Sequence, residues 1–253
     1  MDDAERAILS VRNLRGGGET REMPGLMQEV ISDLADREAG TDSGISTGFS
    51  DLDRITNGLQ DGEFIVIAAR PSVGKTTLCL NMALHICHVE RRTAAFFSLE
   101  MAAKQLTSNL LCIHNRLDTQ DFRRASLDEG QWEDLELSIE DMADMRLHVD
   151  DTPALRVGEL RARARRLCQQ HGVEVIFVDY LQLLRPPQTR DIRATEVAEI
   201  SAGLKALARE LEVPVVSVAQ LNRSSAKEGR KPRMSDLRES GAIEQDADVI
   251  MLL

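Results

Sequence analysis

Five short runs of almost unbroken apolar residues recur along this chain: FIVIAA (64 to 69), TAAFFSL (93 to 99), EVIFVDY (174 to 180), VPVVSVAQ (213 to 220) and DVIMLL (248 to 253). Each is rich in β-branched or aromatic residues and too short for a core helix, so each reads as a strand buried on both faces. RLHVDD (146 to 151) is a weaker sixth. The segments between them carry a helical period instead, with stripes at Val157, Leu160, Ala164 and Leu167, and at Val197, Ile200, Leu204 and Leu211. Continuous apolar strands separated by helices dictate an α/β fold, a mostly parallel sheet flanked by helices on both faces.

The first 45 residues differ. They hold three consecutive glycines, Gly16 to Gly18, then a stretch in which Leu26, Val30 and Leu34 recur every fourth position, then GTDSG. This predicts a flexible tether carrying one amphipathic helix, an N-terminal linker helix ahead of a domain over 46–253. A helix that small buries its stripe on its own domain or on a neighbouring chain, and the pattern alone leaves both open. At the other end the sequence stops at Leu253 inside its last apolar run, and we expect the natural chain to continue.

With 253 residues and 42% hydrophobic content, the chain can bury one sizeable core. No run is long and apolar enough for a membrane helix, and no secretory leader precedes the domain, so a soluble, cytoplasmic protein is expected. Cys79, Cys87, Cys112 and Cys168 fall in helical patterns without C-x-x-C spacing, which predicts buried thiols in a reducing compartment and indicates neither a disulfide framework nor a zinc site. The net charge of −11 opposes indiscriminate contact with a polyanion. Its distribution matters more. Residues 118 to 151 hold twelve carboxylates against three arginines, whereas 223 to 238 gather Arg223, Lys227, Arg230, Lys231, Arg233 and Arg238 against Glu228 and Asp236.

Chemistry concentrates at the ends of the predicted strands. Ala69-Arg70-Pro71-Ser72-Val73-Gly74-Lys75-Thr76-Thr77 follows one strand directly and opens a helical pattern. Backbone N–H groups at a helix N-terminus cradle phosphate, a lysine reaches the β and γ phosphates, and a hydroxyl holds Mg²⁺. Ser72 to Thr77 supply that set, and the strict glycine-rich pattern fails only at Ala69. Asp179 ends the run Val175 to Val178 and is the expected metal-side carboxylate of a bound Mg·ATP. Glu100 ends another strand and is the candidate general base for attack by water, and Gln220 ends a third, where its amide would sense the γ-phosphate.

The cationic loop follows Gln220 at once, so the state of the nucleotide and the grip on a phosphate backbone are expected to be coupled. It contains no aromatic residue, which favours backbone contact over base stacking and hence sequence-independent binding of single strands, through Arg238 and the amide of Gly241. His85-Ile86-Cys87-His88 has potential metal ligands, but they fall on one side of a helix with no carboxylate expected nearby, and a structural role is expected. Arg161, Arg163, Arg165 and Arg166 spread around one helix and read as solvated surface.

Taken in order, Ser46-Thr47-Gly48-Phe49-Ser50-Asp51-Leu52-Asp53, the loop Ala69 to Thr77, Ser98-Leu99-Glu100-Met101, Val178-Asp179-Tyr180-Leu181-Gln182, Ala219-Gln220-Leu221-Asn222-Arg223 and Leu237 to Asp248 resemble the helicase motifs of DnaB-type replicative helicases. The alanine at position 69 is typical of that family's loop. The resemblance covers about residues 45 to 253 and implies a RecA-like P-loop fold in a homohexamer that hydrolyses ATP with Mg²⁺ and moves 5′ to 3′ on single-stranded DNA. It implies that Lys75 and Thr76 bind ATP and Mg²⁺, Glu100 activates water, Asp179 assists the metal, Gln220 senses the γ-phosphate, and Arg238, Glu239 and Gly241 contact DNA. It further implies that the segment from Arg21 to Glu38 is a linker helix docking on the adjacent subunit, and that primase and a helicase loader are partners of the full-length protein. The family's N-terminal primase-interacting domain and its C-terminal strands with a trans-acting arginine finger match no segment of this sequence. Asn109 stands where many members carry arginine. The competing reading is a RecA-type recombination ATPase, which shares the phosphate loop but not the Leu-Asn-Arg and Arg-Glu-Ser-Gly segments.

Overall fold

A computed structural model of the chain describes residues 22–38, 44–186, 193–221, 230–237 and 241–253. The chain divides into two units, Met1–Ser43 and Gly44–Leu253. In the first, helix α1 (Met23–Glu38) occupies the stretch where the four-residue spacing places it. Leu26 is partly covered, and Met23, Met27, Val30, Ile31 and Leu34 are all more than half exposed. The glycine run and GTDSG fall outside the described residues, apart from Gly44.

The second unit is built on six strands: β1 (Phe64–Ala69), β2 (Ala94–Ser98), β3 (Leu147–Asp150), β4 (Val175–Asp179), β5 (Val215–Gln220) and β6 (Val249–Leu252). They form one sheet in the order β3-β2-β4-β5-β1-β6, and every pairing is parallel. All six predicted strands are present. The four central ones are buried along nearly their whole length, whereas β3 and β6 lie at the edges and are half-buried. The weaker signal of RLHVDD comes from His148 and Asp150 on the edge strand β3, where a strand open on one side tolerates polar residues, while β6 at the other edge keeps an unbroken apolar run.

The strand period of two divides the core into two layers. On one face Phe64, Val66, Phe97, Ile176 and Val178 pack with Leu160 and Ala164 of α7 (Val157–His171) and with Val197, Ile200, Leu204 and Leu207 of α8 (Arg193–Leu211). Both helical stripes read from the sequence thus face the sheet. On the other face Ile65, Ile67, Phe96, Phe177 and Val218 meet Leu80, Met82 and Ala83 of α3 (Lys75–Leu84) and Leu106 and Leu110 of α4 (Ala103–His114). Phe96 and Phe177 stack with ring centroids 5.7 Å apart at the centre of this layer.

The remaining helices are α2 (Ser50–Thr56), α5 (Thr119–Arg124), α6 (Glu129–Asp141) and α9 (Gly241–Asp246). α5 and α6 occupy the acidic segment, and each begins on an aspartate whose side chain accepts backbone N–H groups, Asp118 in one case and Asp128 in the other. α3 does not stop at Leu84; it continues into a π turn over His85–Val89, which keeps Ile86 and Cys87 in the core. Cys79, Cys87 and Cys112 are buried as expected, but Cys168 is only half-buried, on the rim of α7. Arg161 and Arg165 both pair with Glu210, and Arg163 pairs with Asp150 at 2.7 Å, so these three arginines of α7 are held by carboxylates, and Arg166 is exposed. No helix among the described residues is long and apolar enough to cross a membrane.

Candidate nucleotide-binding site

A parallel sheet presents the C-terminal ends of all its strands on one edge, and each strand there hands over to a loop. β1 hands over to the loop 70–74, which enters α3 through Gly74 at φ +103°, a conformation that disfavours any side chain. Space in front of Gly74 is open, since an added Cβ would meet nothing within 4 Å. Ser72, at φ +63°, also takes the left-handed region, and Ser72, Val73 and Gly74 are exposed. The loop therefore offers its backbone N–H groups to solvent at the positive end of a ten-residue helix whose first residue is Lys75.

Strand order brings the other predicted residues beside that loop. β5 lies next to β1, with Gln220 directly opposite Ala69, and the Leu221 N–H donates to the Ala69 carbonyl at 3.0 Å. β4 lies next to β5 and ends at Asp179, which is opposite Ser98 of β2, two residues short of Glu100. The Leu99 N–H donates to the Asp179 carbonyl at 2.7 Å. Residues 75, 100, 179 and 220 thus converge from four adjacent strand ends onto one edge.

The electrostatics of this edge are tightly drawn. The Thr76 hydroxyl donates to Asp179 Oδ2 at 2.6 Å, joining the two predicted metal-side groups across 103 residues of sequence. Asp179 is only 1% exposed, and its second oxygen, Oδ1, is buried without a hydrogen-bond partner among the described residues. Burial raises its carboxyl above the usual range; the Thr76 hydrogen bond and Lys75 oppose that shift, while Glu100 adds to it. Burial likewise lowers the Lys75 ammonium, against the pull of Asp179 and Glu100. A half-buried cation, an orphaned carboxylate oxygen, a hydroxyl and an open cradle of N–H groups form the donor and acceptor set that a triphosphate with its Mg²⁺ requires. Glu100 is exposed and lies within electrostatic reach of Lys75, Asp179 and Tyr180, which places a carboxylate where solvent water has access.

Three contributors carried no assigned role in the sequence reading. Tyr180 lies beneath Lys75, whose Nζ is 5.2 Å from the ring centroid. Gln182 accepts the Gln220 N–H through Oε1 at 3.3 Å, tying β5 to the segment after β4. Asp53 takes the Thr47 N–H at 2.9 Å, the Thr47 hydroxyl at 2.6 Å and the Ser46 hydroxyl at 2.8 Å, so the entry segment is fastened around the start of α2. All three lie inside segments that carry the resemblance; the partners of Tyr180 and Gln182 are distant in sequence, whereas those of Asp53 are six and seven residues away.

The cationic loop is only partly described. Arg238 and Glu239 lie outside the described residues, as do 222–229, while Gly241 opens α9 and is exposed. Of the loop's cations, Arg230 grips Asp236 through both its terminal nitrogens, at 2.6 and 2.8 Å, and Asp236 is buried. That ion pair, together with the Arg233 N–H, holds the Asp236 carboxyl down at about 2. Arg230 is therefore a brace of the loop's return, and Lys231 and Arg233 are exposed beside it.

Residues 44–253 match the family model described as DnaB-like helicase C terminal domain. The chain is 40% identical, over its whole length, to the replicative DNA helicase DnaB of Geobacillus stearothermophilus, of which it covers 57%. It is 41% identical over 83% of its length to the replicative DNA helicase DnaB of Rickettsia typhi, covering 44% of that protein. The chain thus spans about half the length of the curated relatives it matches. Among solved structures, the ATPase domain of G40P superposes with a TM-score of 0.81 at 31% identity, over 88% of this chain and 81% of that one. A DnaB-like replicative helicase whose structure was solved to define its interactions with primase gives the same TM-score at 29% identity, over 97% of this chain and 60% of that one. The six-stranded parallel sheet is the RecA-like ATPase arrangement of these neighbours, and the chain belongs to the DnaB-like helicase C terminal domain family.

Proposed function

We propose that this chain is the ATP-hydrolysing motor core of a replicative DNA helicase, acting in the cytoplasm as part of a homohexamer on single-stranded DNA. The observation that carries the reading is the joining of Thr76 to Asp179 beside Lys75, with Glu100 and Gln220 on adjacent strand ends. The family matches favour it over a recombination ATPase built on the same phosphate loop.

In this reading Ser72, Val73, Gly74 and Thr77 wrap the phosphates with backbone N–H groups, Lys75 neutralises the β and γ oxygens, and Thr76 and Asp179 hold Mg²⁺. When bound, that ion supplies positive charge to the phosphate oxygens as the terminal bond stretches. Glu100 takes a proton from water, the water oxygen bonds to the γ-phosphorus, and the bond to the β–γ bridging oxygen breaks, releasing ADP and phosphate. Gln220 reports whether the γ-phosphate is present to the loop that begins at Leu221, and Arg238, Glu239 and Gly241 contact the DNA backbone. The exposed apolar stripe of α1 suits a linker helix that docks on an adjacent subunit, and primase and a loader are the proposed partners of the full-length protein.

The test is ATP turnover by the full-length protein with and without single-stranded DNA. We expect DNA to stimulate hydrolysis. Lys75→Ala should abolish it by loss of nucleotide binding, and Glu100→Gln should lower kcat by about 10²- to 10⁴-fold while nucleotide still binds. Hydrolysis that ignored DNA and survived Lys75→Ala would defeat the proposal.

A further inference from the structure

Away from the nucleotide edge, ligand atoms from three separate helices converge on one point. His88 lies in the π turn that extends α3, His114 is the last residue of α4, and Asp141 is the last residue of α6. His88 Nε2 lies 3.3 Å from Asp141 Oδ2, and His114 Nε2 lies 3.1 Å from the same oxygen. The ligand atoms of the three residues all fall within 4.8 Å of one another, and the two imidazole rings stand at 85° with centroids 5.2 Å apart. The sequence expectation of a purely structural His88 rested on the lack of a carboxylate nearby; the fold supplies one from 53 residues away.

These distances have a definite chemical meaning. An ion held at about 2.0–2.2 Å by imidazole nitrogen and carboxylate oxygen spaces its tetrahedral ligands about 3.3–3.5 Å apart. The two nitrogen-to-oxygen separations lie at or just below that range before any adjustment. Two imidazoles with one carboxylate suit zinc and its first-row neighbours, while magnesium and calcium prefer all-oxygen cages. The imidazoles are about one-fifth exposed and the Asp141 side chain is 52% exposed, so water has access to the fourth tetrahedral position.

We propose that His88, His114 and Asp141 form a metal site for a zinc-class divalent ion, with water as its fourth ligand. The site is separate from the proposed Mg·ATP site. It ties together the C-terminal ends of α3 and α4, whose N-terminal ends begin at Lys75 and just beyond Glu100. An ion there would fix the far ends of the two helices that flank the nucleotide edge. Without an ion, the same three side chains would make only two hydrogen bonds from the imidazole N–H groups to a shared oxygen, and metal uptake separates the two cases.

The experiment uses the full chain, stripped by chelator and titrated with Co²⁺ in the absence of nucleotide. We expect one equivalent per chain, with the intense visible bands of tetrahedral cobalt, displaced stoichiometrically by Zn²⁺. His114→Gln and Asp141→Asn, which retain size and hydrogen bonding, should each weaken uptake by more than the roughly 10- to 100-fold that loss of an outer-shell partner costs. His148→Gln should leave uptake unchanged, because it alters only the other close histidine pair, His148 and His171. Excess Zn²⁺ should raise the Tm of the parent chain and not that of His114→Gln, with circular dichroism confirming that both are folded. Uptake that persists undiminished in His114→Gln and Asp141→Asn, weak octahedral-type bands, or equal loss in His148→Gln would overturn the proposal.

Discussion

At the scale of single residues, the Thr76–Asp179 hydrogen bond is where structure and proposed chemistry compete. A carboxylate with one buried, unpartnered oxygen is costly to keep charged, and the Thr76 hydroxyl offsets part of that cost. Thr76→Val removes the donor with little change of shape, and we expect a loss of about 1–3 kcal/mol at neutral pH in urea unfolding of the nucleotide-free chain. The sign with pH follows from the raised carboxyl. The folded state pays for a charged Asp179 only above its folded pKa, so the deficit of the variant should shrink as pH falls through that value toward the ordinary carboxylate range. A deficit that grew on acidification would contradict this. Asp236 behaves in the opposite way, because Arg230 holds it at about 2. Its contribution to stability is complete above the ordinary carboxylate pKa and fades as pH falls toward 2, and Arg230→Gln should shift its carbon-detected NMR titration upward toward the ordinary value. An unmoved midpoint would mean that the paired guanidinium is not the cause.

At the scale of elements, strands were more legible than helices, for a physical reason. β1, β2, β4 and β5 are covered on both faces, so burial demands apolar residues at every position and leaves a continuous signal. The Phe96–Phe177 stack lies deepest in that layer. Phe177→Ala should therefore cost about 3–5 kcal/mol in denaturant unfolding, and a cost below about 1 kcal/mol would show that the layer collapses around the gap. α5 and α6 were hidden by charge instead. Their segment reads as an acidic run, although Asp128 and Gln131 form a reciprocal cap that signals a helix start. The π turn at His85–Val89 had no sequence signal, because an extra residue per turn is set by what the helix must pack against. For α1, sixteen residues with Pro24, Gly25, Val30 and Ile31 sit at the length where isolated helices are marginal. A peptide of 23–38 should show little helicity in water by circular dichroism, and strong helicity would mean that the element needs no surface to lie on.

At the scale of the whole molecule, the sequence showed that Lys75, Glu100, Asp179 and Gln220 each stand at or just beyond a strand end, but not which strands are neighbours. The order β3-β2-β4-β5-β1-β6 turns four scattered positions into one edge, and that order follows from packing and crossover handedness, which no local pattern encodes. The same limit hid Asp141 from His88. Net charge is the property of the whole chain that most constrains the proposed partner. At −11, with twelve carboxylates gathered in 118–151, the protein as a whole repels a phosphate backbone, so binding must come from the local cations of 223–238 working against the global field. Two of that segment's charges are already committed to each other, Arg230 to Asp236, which leaves fewer cations for phosphates than the sequence count suggests. Single-stranded DNA binding by the full-length protein should accordingly weaken steeply with salt, each phosphate contact adding about −0.7 to the slope of log K against log salt. Arg238→Ala should make that slope shallower by about one such contact and weaken binding to every base sequence alike, whereas Arg230→Gln should act by loosening the loop and leave the slope nearly unchanged. A filter-binding series over salt, run with oligonucleotides of different base composition, distinguishes the two. If Arg238→Ala lost affinity for some sequences and not others, the loop would be reading bases, and backbone contact would be the wrong account of the proposed DNA binding.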